Sequence, residues 1–147
     1  MDNAVEYVIY TDGGCVPNPG AGGWAALIIH QGHQQEVAGF EPYTTNNRME
    51  LMAAIHGLQQ TPAGSSLAVY TDSEYVKNGI TFWMPGWRAR GWKRKTGVLL
   101  NQDLWMELDR LSSARQISWN WVKGHAGHTF NERVDALVRD QIARRGR

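Results

Sequence analysis

Two stretches of this chain, residues 5–11 and 67–71, are short β-branched and aromatic runs that lead into Thr-Asp and then a small residue, Thr11-Asp12-Gly13 and Thr71-Asp72-Ser73. Runs of this kind read as strands. A lone Asp at the end of a strand is usually a turn former or a helix cap. The same ending on two strands is harder to explain that way, because open sheets bind ligands beyond the carboxyl ends of their strands. Two further acids occupy comparable settings. Glu50 opens a helical pattern, and Asp135 follows Val134 by one residue on the last helix, about 100° around it, at the border of the apolar face. If Asp12, Glu50, Asp72 and Asp135 converge, they form an all-oxygen site suited to Mg²⁺ or Mn²⁺.

The order of elements limits how that convergence can arise. Residues 22–30 and 34–40 read as second and third strands, joined through Gln31-Gly32-His33 as a hairpin. Asn46 or Asn47 is the expected cap of a helix reaching about residue 60, with Leu51, Ile55 and Leu58 at helical spacing. Helical segments are expected at 74–90 and 102–111, and a fifth strand at 117–122. Thr129-Phe130-Asn131-Glu132 fits a capping box opening a final helix whose apolar face is Val134, Leu137, Val138 and Ile142. Strands four and five arrive by helical crossovers and should lie parallel to strand one. The expected class is α/β, a five-stranded mixed sheet with its first three strands antiparallel, flanked by helices. Trp105, Trp119 and Trp121 are expected in the core.

At 147 residues the chain can bury a core as one domain without disulfides. Its single Cys15 cannot form an internal disulfide, which suits a reducing compartment. The first residues lack a signal-peptide pattern and no apolar run approaches the ~20 residues of a membrane span, so the expectation is a cytoplasmic protein. The net charge of +1 is uninformative by itself, but its distribution is not. Between residues 75 and 97, Lys77, Arg88, Arg90, Lys93, Arg94 and Lys95 occur without one acid, interleaved with Tyr75, Phe82, Trp83, Trp87 and Trp92. A basic, aromatic stretch of this kind suits nucleic-acid phosphates.

Thr11-Asp12-Gly13-Gly14, Thr45-Asn46-Asn47-Arg48-Met49-Glu50-Leu51, Thr71-Asp72-Ser73 and Trp121-Val122-Lys123-Gly124-His125-Ala126-Gly127-His128 together resemble bacterial ribonuclease HI, the type 1 ribonuclease H. The resemblance runs in order from about residue 5 to 139. It implies one ribonuclease H domain over 1–147, with a basic protrusion at about 83–97 and a basic end at 139–147. It also implies endonucleolytic hydrolysis of the RNA strand of RNA/DNA hybrids, leaving 5′-phosphate and 3′-hydroxyl ends. One or two Mg²⁺ ions, with Mn²⁺ as a substitute, would serve a monomer.

By position, the catalytic and metal-holding carboxylates fall on Asp12, Glu50, Asp72 and Asp135, and the loop histidine on His125. RNA contacts fall on Cys15, Asn18, Asn46 and Asn47, and DNA contacts on Thr45, Trp83 and Asn101. The minor-groove position, Gln in many members, is Glu74 here. Trp87, Arg88, Arg90 and Lys93 belong to the protrusion, where Pro85-Gly86 should bend or break the helix. Zinc is not expected, since no Cys pair or third His accompanies His125 and His128. The alternatives are a resolvase or exonuclease of the wider superfamily, or a hybrid-binding module without activity.

Overall fold

The computed structural model describes residues 5–92, 99–122 and 129–145. Lys93, Arg94 and Lys95 of the basic stretch and the loop residue His125 lie outside them. Five strands form one sheet: β1 (Tyr7–Val16), β2 (Gly20–His30), β3 (His33–Thr44), β4 (Ser66–Thr71) and β5 (Gln116–Trp121). Their order is β3-β2-β1-β4-β5. β1 pairs antiparallel with β2, and β2 with β3, while β4 and β5 join in parallel. The mixed sheet expected from the element order is therefore present. Gln31 and Gly32 link β2 to β3 with φ of 51° and 80°. Left-handed backbone at both turn positions matches the twist of a two-residue hairpin.

β2 has apolar residues on both faces because both are covered. Ala26 and Ile28 face α1 (Asn46–Gln59), packing with Leu51, Ile55 and Leu58 in the main core. Ala25 and Leu27 point the other way, onto Val134 and Val138 of α5 (Thr129–Arg145). α4 (Gln102–Ser113) closes the main core with Trp105 and Leu108, both fully buried.

β1 is longer than its apolar run. Backbone pairing with β2 continues through Asp12↔Ala25 to Val16↔Ala21, so Asp12 stands within a strand rather than at its end. On the other side, parallel pairing with β4 is recorded only up to Tyr10↔Tyr70. Asp12 and Asp72 are thus each two residues past a matched pair, and the register sets them side by side.

Four local expectations are corrected. The cap of α1 is Thr45, whose Oγ1 accepts the Arg48 N–H at 3.2 Å, not Asn46 or Asn47, which are the first helical residues. Thr129 is already helical in α5, so it does not occupy the position before the helix that a capping box requires. Trp121 is 37% exposed at the end of the edge strand β5, while Trp105 is buried and Trp119 packs partly against the core. The 74–90 segment divides into α2 (Glu74–Asn78), a π-helical turn (Gly79–Trp83) and α3 (Met84–Ala89). The wide turn closes where the Met84 N–H reaches Gly79 O. Pro85 then falls in the first turn of α3, where its missing N–H is tolerated.

Candidate active site

Asp12, Glu50 and Asp72 offer carboxylate oxygens that all lie within 4.8 Å of one another. Each comes from a different element, β1, the second turn of α1 and the end of β4. Gly13 makes the approach possible. A Cβ there would stand 2.3 Å from the Met49 carbonyl carbon and 2.5 Å from the Glu50 nitrogen, so only glycine allows β1 to lie against the start of α1. Asp135 of α5 lines the same cavity of about 310 Å³, together with Cys15, Asn46 and Arg139. One Asp135 oxygen is held by Arg139 at 2.9 Å across one helical turn.

Carboxylates this close raise one another's proton affinity. Burial, reinforced by the charges of Asp72 and Asp135, pushes the Asp12 carboxyl up to about 8. Burial and the charges of Asp12 and Asp72 hold Glu50 well above its ordinary range, against the pull of a hydrogen bond from the Gly13 backbone N–H. Glu50 Oε1 is sealed from solvent with no hydrogen-bond partner among the described residues. An unpartnered buried carboxylate oxygen on a residue that lines an acidic cavity fits a hard divalent cation. The described donor set is all oxygen, as the sequence led us to expect.

The remaining sequence-derived positions fall into two groups around this cavity. Near it, Asn18 Oδ1 accepts the Asn46 N–H at 3.2 Å, so the β1–β2 turn is tied to the start of α1, where Asn46 and Asn47 are exposed. Cys15 is buried, with its Sγ 3.1–3.2 Å from the carbonyls of Pro17, Gly20 and Thr44. Its thiol is thus directed at backbone carbonyls, while the residue lines the acidic cavity. Thr45 is half-buried and occupied in capping. Glu74 is exposed at the first position of α2.

The second group surrounds another cavity, of about 430 Å³, lined by Tyr75, Phe82, Trp83, Trp87, Arg90 and Leu100 among others. Asn101 stands beside it, bonded to the Tyr75 hydroxyl at 2.9 Å. Arg88 diverges, pairing with Asp109 at 2.7 Å on α4. Lys93 and His125 lie outside the described residues.

Some contributors carry only weak sequence signals. Arg139 could have been found from its spacing to Asp135, since residues four apart meet on a helix. Arg48 sits inside a quoted motif, but its partners Asn101 and Asp103 are 53 and 55 residues away. Trp121 donates its indole N–H to the Asp72 carbonyl at 3.1 Å, a contact between strand ends that no local pattern announces.

A family model for RNase H matches residues 4–143. A ribonuclease H of Thiobacillus denitrificans is 50% identical over 135 residues, covering 91% of each chain. One from Cupriavidus necator is 50% identical over 143 residues, 97% of this chain and 99% of the relative. Among solved structures, LC9-RNase H1, a type 1 RNase H with the type 2 active-site motif, aligns with a TM-score of 0.82 at 33% identity, over 95% of this chain and 74% of the other. LC11-RNase H1 in complex with RNA/DNA hybrid aligns with a TM-score of 0.70 at 22% identity, over 94% of this chain and 97% of its own, a likeness of fold.

Proposed function

The chain belongs to the ribonuclease H family, and on that premise we propose that the cavity of Asp12, Glu50, Asp72 and Asp135 is where it hydrolyses the RNA strand of RNA/DNA hybrids with Mg²⁺. The carrying observation is the convergence of three carboxylates within 4.8 Å, one of them with a sealed and unpartnered oxygen. These acids can hold divalent cations; Mg²⁺, with Mn²⁺ as substitute, is the reading that their hard, all-oxygen character favours. Bound there, such cations neutralise the phosphodiester, lower the proton affinity of water and stabilise the leaving oxygen.

The protein supplies the frame. Asp12 and Asp72 are held by strand register and Glu50 by its buried helix, while Arg139 occupies one oxygen of Asp135 at the open side. Asn18, Asn46 and Asn47, grouped by the Asn18–Asn46 bond, supply donors and acceptors for 2′-hydroxyls across a hybrid's wide minor groove. Trp83, 37% exposed, can pack on a deoxyribose that lacks the blocking hydroxyl. His125, between glycines in the sequence, is our choice to carry a proton. Glu74, Trp87, Arg88, Arg90 and Lys93 complete the proposed surface, with Arg88 constrained by Asp109. Among the described residues no helix is long and apolar enough to cross a membrane. We take the working form to be a cytoplasmic monomer.

End-labelled RNA/DNA hybrid, RNA duplex and DNA duplex, each with Mg²⁺ or chelator and an Asp12→Asn control, test this. Mg²⁺-dependent cutting of the hybrid's RNA strand alone, lost in the control, is expected. Cutting of duplex DNA would move the protein to a resolvase-like or exonuclease activity. Hybrid binding without cutting would make it a recognition module.

A further inference from the structure

A directed chain of hydrogen bonds links α1 to α2 through the start of α4. Arg48 has only donors to offer. It meets both Asp103 oxygens, at 3.2 and 3.0 Å, and its Nη1 also lies 3.2 Å from Asn101 Oδ1. An amide nitrogen could not face a guanidinium there, so Asn101 must turn its oxygen to Arg48 and its NH₂ to the Tyr75 hydroxyl, 2.9 Å away. Trp105 Nε1, a donor with no acceptor capacity, reaches the same hydroxyl at 3.0 Å. A phenol oxygen has two lone pairs and one proton. Both lone pairs are taken, and the proton is all that Tyr75 has left to give.

Tyr75 lines the aromatic cavity of about 430 Å³ with Trp83, Trp87, Arg90 and Leu100. Its ring meets Trp83 edge-on at 5.7 Å. Among the described residues, the lining brings together a guanidinium, a hydroxyl limited to donation and several aromatic rings, which suits an anionic oxygen next to an apolar sugar. That is the chemistry of a nucleic-acid backbone.

We propose that the Tyr75 hydroxyl donates to a phosphate oxygen of the hybrid's DNA strand, as a binding residue oriented by the Arg48–Asn101 bond. This rests on the ribonuclease H reading above. Asn101 is itself left-handed, with φ of 61°, which aims its amide across from α4 to Tyr75.

Tyr75→Phe removes one O–H and keeps the ring. Loss of one hydrogen bond to a charged acceptor should raise KM for the hybrid about tenfold and leave kcat within about twofold. Hybrids carrying single methylphosphonates along the DNA strand then locate the contact. The position that weakens binding to the unaltered protein should become silent in Tyr75→Phe.

Asn101→Gly, which tolerates the left-handed backbone, serves as comparison. If both variants go silent at the same phosphate and the double variant is no weaker than either single one, Tyr75 only supports Asn101 and the proposal fails. An unchanged KM in Tyr75→Phe overturns it as well. Fluorotyrosine at position 75, a stronger donor of nearly the same shape, should lower KM at pH 6.5; an unchanged KM counts against the contact, and this arm remains should Tyr75→Phe not fold. Cleavage of the hybrid by the unaltered chain is scored first, so failure of the parent reading is seen separately.

Discussion

Gly13 of β1 lies so close to Met49 of α1 that an added Cβ would stand 2.3 Å from the Met49 carbonyl carbon. This contact brings Asp12 and Glu50 into one site. Gly13→Ala therefore has no side chain to push aside, and backbone must move. We expect a loss of stability at the upper end of the ~1–3 kcal/mol range for overpacking, read as a lower urea midpoint at unchanged slope. The Mg²⁺ concentration for half-maximal activity should rise at least severalfold. Wild-type stability and metal dependence in Gly13→Ala would mean that the spacing of β1 and α1 does not set the site.

The acidic cavity makes metal-free stability depend on pH in an unusual direction. The Asp12 carboxyl is pushed up to about 8 from its ordinary 3.8, so the folded chain keeps this proton over a range where the unfolded chain has lost it. With more protons bound in the folded state, stability should fall as pH rises from about 4 through about 8. Glu50 adds in the same direction. Millimolar Mg²⁺ should reverse the fall by binding only the native, deprotonated carboxylates. Thermal melts in chelator at pH 5 and pH 8, with and without Mg²⁺, check this, and Asp12→Asn should flatten the pH dependence. A metal-free melting temperature higher at pH 8 than at pH 5 would contradict the clustered site.

Arg139 pairs with Asp135 from a position 71% exposed to solvent, where an ion pair contributes little. Arg139→Ala should change stability by no more than about 0.5 kcal/mol. It should, however, release an Asp135 oxygen and remove a competing positive charge. Calorimetric titration of the substrate-free protein should then show tighter Mg²⁺ binding. Weaker binding would mean that Arg139 orients Asp135 for the metal instead of competing with it.

Trp121 holds the Asp72 backbone from the edge strand, with its ring covered by the Lys77 ammonium at 4.7 Å. Trp121→Phe leaves an aromatic ring but no N–H, and should destabilise the fold by about 1 kcal/mol. Because Asp72 is the residue released, half-maximal activity should also need more Mg²⁺. Lys77→Met, which removes the ring's cover but not the indole N–H, should leave metal dependence unchanged. If the two variants shift metal dependence equally, the hydrogen bond is not what positions Asp72.

Much of the fold was legible in local pattern. The apolar runs that lead into Thr11-Asp12 and Thr71-Asp72, the unbroken apolar stretch of β2 and the helical spacing of Leu51, Ile55 and Leu58 are short-range properties, because backbone geometry repeats every two or 3.6 residues. Where a local cue could be met by two neighbours, it was less decisive. Thr45 took the cap from Asn46 and Asn47 because the helix begins one residue earlier, and both asparagines are left exposed beside the cavity.

The sequence by itself determined which acids stand on which elements and which stretch is basic and aromatic. Only the tertiary structure decided the rest: that Tyr10 registers with Tyr70 and so sets Asp12 beside Asp72, that Trp121 lies at an edge rather than in the core, and that Tyr75 has one proton left to donate. The physical reason is range. Periodicity and capping act within one turn or one strand, whereas register, burial and hydrogen-bond direction depend on partners tens of residues away that only packing brings together.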